Sequence, residues 1–304
     1  MKEYVVGVDG GGTKTSVTVA DLNGTAVNTF QSGAININGE SLQNVRENFR
    51  DIFTKIKQNC GGVEACAAIC VGTAGISNPA VKQFLIEQAA ANGYKGRFII
   101  TGDHETAFYG ALGNPCGAIL IAGTGSICYG KNEDGEEHRT GGFGHLIDDE
   151  GSGYAIGRDI LSAIVQEYDG RGKMTALTDM VYRQLGCSSV QQLVGFVYDK
   201  ATNKRDIAAL SPNLTAACAA GDGVALDIAK RCASELKKLT LPVIEKLGLQ
   251  KESLAVAGSI LLKDAYIEEE FCKMMQSDFH GLTIHSPKHD AAYGGVLIAL
   301  ESLH

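Results

Sequence analysis

The chain opens on an apolar run, residues 4–9, that ends in an acid, Asp9, and is broken by Gly10, Gly11, Gly12 and Thr13. Thr15, Val17 and Val19 then alternate with Ser16 and Thr18, and this period of two predicts a second strand. A third strand is predicted over 26–31. Between 41 and 56 the apolar positions Leu42, Val45, Phe49, Phe53 and Ile56 recur at steps of three and four, which is helical. A buried strand over 67–71, a helix over 81–91 and another strand over 98–101 follow.

A second cycle starts at residue 118. Residues 118–122 read as a buried strand, Gly123-Thr124-Gly125 as a tight turn and 126–130 as a returning strand. Both cycles therefore share one plan of strand, glycine turn and strand, which predicts a duplicated domain. The charged stretch 131–139, with Asp134-Gly135 at its middle, reads as a solvated hairpin tip. The rest is mostly helical, over 154–168, 176–185, 214–220 and 224–247, the last carrying an apolar stripe of Val224, Ile228, Cys232, Leu236 and Leu239. Strands return at 254–257 and 282–285, and a helix is expected from about 291 to 303.

Composition narrows the class. A length of 304 residues is about twice a typical domain, so two are expected. Apolar residues at 44%, charged residues at 20% and only 5 prolines exclude a disordered chain. Glycine is in excess, with 38 residues, against a usual share of about 7%; without a three-residue period these must serve turns or close backbone approaches. The net charge of -8, with no long basic run, argues against a nucleic-acid partner. Apolar runs such as 65–71 fall far short of the ~20 residues of a membrane helix, and the start Met1-Lys2-Glu3-Tyr4 lacks a signal-peptide core. The expectation is a soluble cytoplasmic protein without a membrane partner. Nine cysteines without a C-x-x-C pair suggest small buried thiols in a reducing compartment rather than disulfides or zinc.

The two glycine turns are the candidate chemistry. The first is not a Walker loop, because Gly12 is followed by Thr13 and Lys14 comes one place late. Nor is it a dinucleotide fingerprint, since Thr15 stands where glycine is needed and a strand follows. A glycine hairpin can still cradle phosphate through consecutive main-chain NH groups and the Thr13 hydroxyl, with Asp9 facing the same phosphates and able to hold Mg²⁺ through water. A plain hairpin is the alternative. Two such turns, each after a buried strand and each with a threonine, favour the phosphate site. Asp103 follows a strand and opens a helix, where it fits an N-cap and a functional carboxylate equally well.

Taken in order, Val6-Gly-Val-Asp-Gly-Gly-Gly-Thr-Lys-Thr15 and Leu120-Ile-Ala-Gly-Thr-Gly-Ser126 resemble the two phosphate motifs of the sugar kinase, Hsp70 and actin superfamily. Gly141-Gly-Phe-Gly-His-Leu-Ile-Asp-Asp-Glu-Gly-Ser-Gly-Tyr154 resembles the signature of its N-acetylglucosamine kinase branch, grouped with the BadF/BadG/BcrA/BcrD ATPases. Val256-Ala-Gly-Ser-Ile260 looks like the adenosine motif, and His289-Asp-Ala-Ala-Tyr-Gly-Gly295 like the C-terminal motif. The resemblance spans the whole chain.

It implies an α/β protein of two ribonuclease-H-like, actin-like ATPase domains around a central cleft, residues 1–114 and 115–304, with the last helix packing back toward the first domain. The implied activity is ATP-dependent phosphorylation of the 6-hydroxyl of an amino sugar, with ATP and Mg²⁺ as cofactors and a homodimer as the assembly. Gly11, Gly12, Thr13, Gly123, Thr124 and Gly125 would hold the ATP phosphates, Gly258 and Ser259 the adenosine, and Asp9 the Mg²⁺ through water. Asp103 matches the catalytic aspartate. Asn36, Asp103, Thr124, Gly142, Gly144, Asp149 and Gly153 match sugar-contacting positions. Phe143, where Trp is common, and Asp148, in place of a common glycine, depart from the branch's pattern. His104 and His145 read as structural, and Lys14 as solvent-facing. Two rivals share the fold: an ATPase activator of a radical dehydratase, disfavoured by the missing paired-cysteine motif, and a sugar sensor without turnover, disfavoured because Asp9, Thr13, Asp103 and Thr124 are all present.

Overall fold

A computed structural model describes residues 3–37, 40–76 and 78–304. The start at Met1-Lys2, read above for a signal peptide, lies outside the described residues. In chain order the elements are β1 (Tyr4–Gly10), β2 (Lys14–Asp21), β3 (Ala26–Gly33), α1 (Leu42–Asn59), β4 (Cys66–Thr73), α2 (Pro79–Ala91), β5 (Arg97–Thr101) and α3 (Asp103–Leu112). There follow β6 (Gly117–Ala122), β7 (Ser126–Lys131), β8 (Glu137–Gly141), α4 (Gly153–Tyr168), α5 (Leu177–Leu185), α6 (Val190–Tyr198), α7 (Lys204–Ala208), α8 (Pro212–Ala219) and α9 (Gly223–Lys246). The remainder is β9 (Ser253–Ala257), α10 (Ser259–Lys263), α11 (Ala265–Asp278), β10 (Thr283–His285) and α12 (Ala291–Glu301).

The two sheets repeat one topology. The first has the order β3-β2-β1-β4-β5 and the second β10-β9-β6-β7-β8, so that β1 to β5 correspond in order to β6 to β10. In each, the first two pairings are antiparallel and the crossover pairings, β1 with β4 and β4 with β5, or β6 with β9 and β9 with β10, are parallel. The repetition is the one the duplicated pattern predicts, and the plan is the ribonuclease-H-like one that the resemblance implies. The chain divides into two compact units, Met1–Pro115 with Pro287–His304, and Cys116–Ser286.

In the first unit, alternate residues of β1 serve opposite faces. Tyr4, Val6 and Val8 join Phe49, Ile52 and Phe53 of α1 and Leu85 of α2 in one cluster, while Val5 joins Val296 and Ala299 of α12 in another. The α12 helix lies close because glycine stands where backbones meet. A Cβ at Gly7 would sit 2.0 Å from the Ala292 carbonyl oxygen, and one at Gly110 would sit 2.2 Å from that of Asp290. The contacts of α12 thus make residues 287–304 part of the first unit, whereas division by sequence order put 115–304 in one domain.

In the second unit, Leu120 and Ala122 of β6 and Val256 of β9 share a single core with Ile156, Ile160 and Ile164 of α4, Ile228 and Leu236 of α9 and Phe271 of α11. The charged stretch 131–139 is a hairpin, but its tip is shorter than read: Asn132 and Glu136 close it, and Glu137 already pairs with Lys131 in the ladder. Helices α6, α7, α10 and α11 were not read from the pattern. None of the nine cysteines forms a disulfide, and five of them are buried. Among the described residues no helix is long and apolar enough to cross a membrane.

Candidate functional site

The first unit gathers its acids at one end of the sheet. Asp9 lies at the end of β1, Asp103 is the first residue of α3 and Asp290 is the N-cap of α12, its Oδ1 accepting from the Tyr293 NH at 2.8 Å. Burial, with repulsion from Asp103 and Asp290, pushes Asp9 up to about 6. Asp103 goes the other way. The His104 imidazole, with Nδ1 3.7 Å from Asp103 Oδ1, holds that carboxyl below its ordinary range against the opposing effect of burial. A half-exposed, ionised carboxylate at a helix N-terminus results, further favoured by the helix dipole. The N-cap position of α3 is Gly102, with Asp103 the residue after it, and the Asp103 Oδ1 still accepts from the His104 NH at 3.0 Å. Glu105 adds the reciprocal half of a capping box by accepting the Gly102 NH at 3.2 Å.

Beside Asp9, the first glycine turn is tighter than a row of free amides. The Gly11 NH donates to the Asp9 carbonyl at 3.2 Å, which leaves the Gly12 and Thr13 amides for an anion. Asn36 is brought to this turn by its neighbour: Ile35 is fully buried against Gly10, where a Cβ would lie 2.8 Å from Ile35 Cγ1. The Asn48 side chain fixes the same loop by donating to the Ala34 carbonyl at 2.7 Å, filling the room left at Gly33. Thr13 is exposed.

The second unit brings Gly123, Thr124, Gly125, Asp149 and Gly153 together. At the start of α4 the Gly153 NH donates to the Gly123 carbonyl at 2.7 Å and the Tyr154 NH to the Thr124 carbonyl at 3.3 Å, fastening the second glycine turn. Asp149 is the one non-glycine residue with positive φ, 66°, among the described residues. Its carboxylate is buried against Gly125, where a Cβ would lie 2.8 Å from Oδ1. Oδ1 accepts from the Ser126 NH at 3.3 Å, whereas Oδ2 is buried with no hydrogen-bond partner among the described residues. A positive φ and an unmet buried acceptor both cost stability, which makes Asp149 a candidate ligand contact. Gly123 is different, since a Cβ there meets nothing within 4 Å.

Loop 142–152 is held at both ends. The Phe143 NH donates to Asp148 Oδ2 at 3.0 Å, so the unusual acid caps the turn, and Phe143 itself lies under the Arg139 guanidinium at 4.9 Å. Arg158 of α4 forms a bidentate pair with Glu150, at 3.0 and 2.8 Å. Gly142 and Gly144 adopt φ of 74° and 95°, which only glycine takes readily. Gly258 has φ 88° and touches the Ala122 backbone, where a Cβ would lie 2.2 Å from the carbonyl oxygen, while Ser259 is exposed at the start of α10. His145 packs edge-on to Tyr154 at 4.8 Å, and Lys14 is exposed.

Sequence reading missed Asp290. Its signal was an aspartate three residues before Tyr293 at the start of an apolar helix, the spacing of an N-cap. No group of three His, Cys, Asp or Glu among the described residues is disposed to hold a metal ion directly. The site still fits a cation, because Asp9 sits buried among like charges that a divalent ion would relieve.

The chain has relatives among known proteins over its whole length. The N-acetylmuramic acid/N-acetylglucosamine kinase of Clostridium acetobutylicum is 35% identical over 300 residues, covering 98% of each chain. The N-acetyl-D-glucosamine kinase of Dictyostelium discoideum is 30% identical over 317 residues, covering 99% of each. A solved chain from Chromobacterium violaceum superimposes with a TM-score of 0.77 at 23% identity, over 98% of this chain and 99% of that one, and carries the fold. With the model of one family matching residues 6–299 and relatives aligned from end to end, the chain belongs to the BadF/BadG/BcrA/BcrD ATPase family.

Proposed function

We propose that this protein is an ATP-dependent amino-sugar kinase that transfers the γ-phosphoryl group to the 6-hydroxyl of N-acetylglucosamine or a related hexosamine, such as glucosamine or N-acetylmuramic acid. The observation that carries the reading is the ionised Asp103 at the start of α3, beside the glycine turn that follows Asp9. Its support in kind comes from the end-to-end amino-sugar kinase relatives.

Phosphoryl transfer needs positioning and charge stabilisation more than covalent chemistry. A carboxylate held below its ordinary range is a weak base. Asp103 therefore orients the sugar hydroxyl through a charge-assisted hydrogen bond and takes its proton late, as the oxygen–phosphorus bond forms. The amides of Gly12 and Thr13 and of the turn Gly123-Thr124-Gly125 hold the phosphates, which explains how a chain of net charge -8 binds ATP without a basic patch. Mg²⁺, when bound, would neutralise phosphate charge, and Asp9 is the residue that would hold it, through water. Asn36, Gly142, Gly144, Asp149 and Gly153 surround the sugar, with the unmet Asp149 Oδ2 accepting from a donor. Gly258 and Ser259 flank the adenosine. On the resemblance of the whole chain we extend the reading to a homodimer, which light scattering tests.

The decisive experiment is a coupled ADP-release assay over glucosamine, N-acetylglucosamine, N-acetylmuramic acid, N-acetylmannosamine and glucose. Asp103→Asn is expected to lower kcat by about 10²–10⁴-fold, the range for a positioned acid–base group. Turnover of none of these sugars by the wild type, or near-full activity of the variant, would refute the mechanism.

A further inference from the structure

The second unit holds a cavity of about 540 Å³ among α4, α6 and α7 to which the reaction above assigns no role. Its floor is apolar, formed by Leu161, Val165, Leu193, Val197 and Ile207. Its wall carries His145, Arg158, Arg171 and Lys204 but, among the described residues, no aspartate or glutamate. For a chain of net charge -8 that is a selective lining.

Two of the cations are already committed. Arg158 is bidentate to Glu150 and Arg171 to Asp169, at 2.7 to 3.0 Å, and both acids lie outside the wall. Lys204 forms no ion pair among the described residues. The cavity therefore offers one uncommitted cation above an apolar floor, a match for a carboxylate on a short alkyl body. Tyr154 links it to the second glycine turn. Its NH donates to the Thr124 carbonyl, while its side chain, with His145 against it, walls the cavity.

We propose that this cavity receives the carboxylate-bearing arm of an acidic amino sugar, an N-acetylhexosamine with an ether-linked carboxylic acid, and that Lys204 sets the preference for it over the neutral sugar. The inference rests on the amino-sugar kinase reading. Lys204 takes no part in phosphoryl transfer; it recognises the arm.

The test measures kcat/KM for N-acetylmuramic acid and N-acetylglucosamine with the wild type, Lys204→Gln and Val194→Trp, the latter narrowing the cavity from α6. Lys204→Gln is expected to raise KM for the acidic sugar about tenfold, the scale of one charge-assisted contact. Val194→Trp is expected to act in the same direction, and both variants should keep the wild-type kcat/KM for N-acetylglucosamine, which also reports correct folding. A ratio between the two sugars within twofold of wild type in both variants overturns the proposal. So does a wild type that phosphorylates N-acetylglucosamine but not N-acetylmuramic acid, with the kinase reading left standing; turnover of neither sugar refutes that reading instead. Free lactate is added in a separate arm, and if it accelerates N-acetylglucosamine turnover in a Lys204-dependent way, the cavity is an effector site and the substrate assignment is overturned.

Discussion

Replacing Gly294 by Ala sets two known effects against each other. Helix propensity alone makes the exchange favourable by about 1 kcal/mol, because Gly294 lies inside α12. Packing opposes it. The new Cβ would sit 1.8 Å from the Thr106 carbonyl oxygen and 2.5 Å from the Gly110 nitrogen, far inside the 3.4 Å at which ordinary contact begins. Both neighbours are main-chain atoms of α3 and cannot rotate away, so α12 must retreat by more than an ångström. Overpacking costs roughly 1–3 kcal/mol and more where nothing can yield. The structure puts this site at the upper end, leaving a net loss of about 2 kcal/mol. Melting followed by calorimetry should fall by about 3 °C if the whole chain melts as one and by about 7 °C if the first unit melts alone. Activity should fall too, since α12 carries Asp290 beside Asp9. Gly195→Ala in α6 is the control, because a Cβ there meets nothing within 4 Å; the same chemical change should raise stability by up to about 1 kcal/mol. A Gly294→Ala protein that melts at or above the wild type would refute the reasoning.

Asp9→Asn should stabilise the ligand-free protein at pH 8. A carboxyl raised from 3.8 to about 6 binds its proton more tightly when folded, so its contribution is full below pH 3.8 and lost as pH rises through 6, by at most about 3 kcal/mol. The gain should shrink toward zero at pH 4 in melting curves recorded with EDTA, while kinase activity at pH 8 collapses; a pH-independent difference would count against the crowded-acid account. Gly123→Ala should melt within about 0.5 kcal/mol of wild type, since a Cβ there meets nothing within 4 Å, yet should raise the KM for ATP. Gly258→Ala should do the reverse first and lose stability, because φ of 88° and the Ala122 carbonyl both exclude a side chain.

The fold was legible because its strands are marked by period and its turns by glycine. Val17 and Val19 alternate with polar neighbours, and the turn at Gly123 repeats the one at Gly10, so the duplicated plan could be read before the ladders were known. Short helices such as α7 and α10 have no room for a period and were invisible; α11, with Ile267, Phe271 and Met275 four apart, carried a signal that was not used. Within the site, residue type could identify Asp9 and Asp103 but not their opposite electrostatics, which depend on burial and on what lies beside each. Glycine is ambiguous in sequence for the same reason. Gly123 leaves open space, Gly125 makes room for Asp149, and Gly294 lets two helices touch. These are three different jobs for one residue type, and only what packs around each glycine separates them.

Because the first unit is assembled from residues 1–115 and 287–304, while the second is the unbroken stretch 116–286, the order of synthesis and the order of folding are at odds. At about 5–20 residues per second, a ribosome needs roughly 10–40 s to pass from residue 115 to 304. Throughout that interval β1 waits with the Val5 and Gly7 face uncovered, and the second unit can complete its core first. The first segment of the protein made thus belongs to the last unit to be finished, and the nascent chain passes through a stage in which a bare sheet face depends on chaperones or on speed for protection.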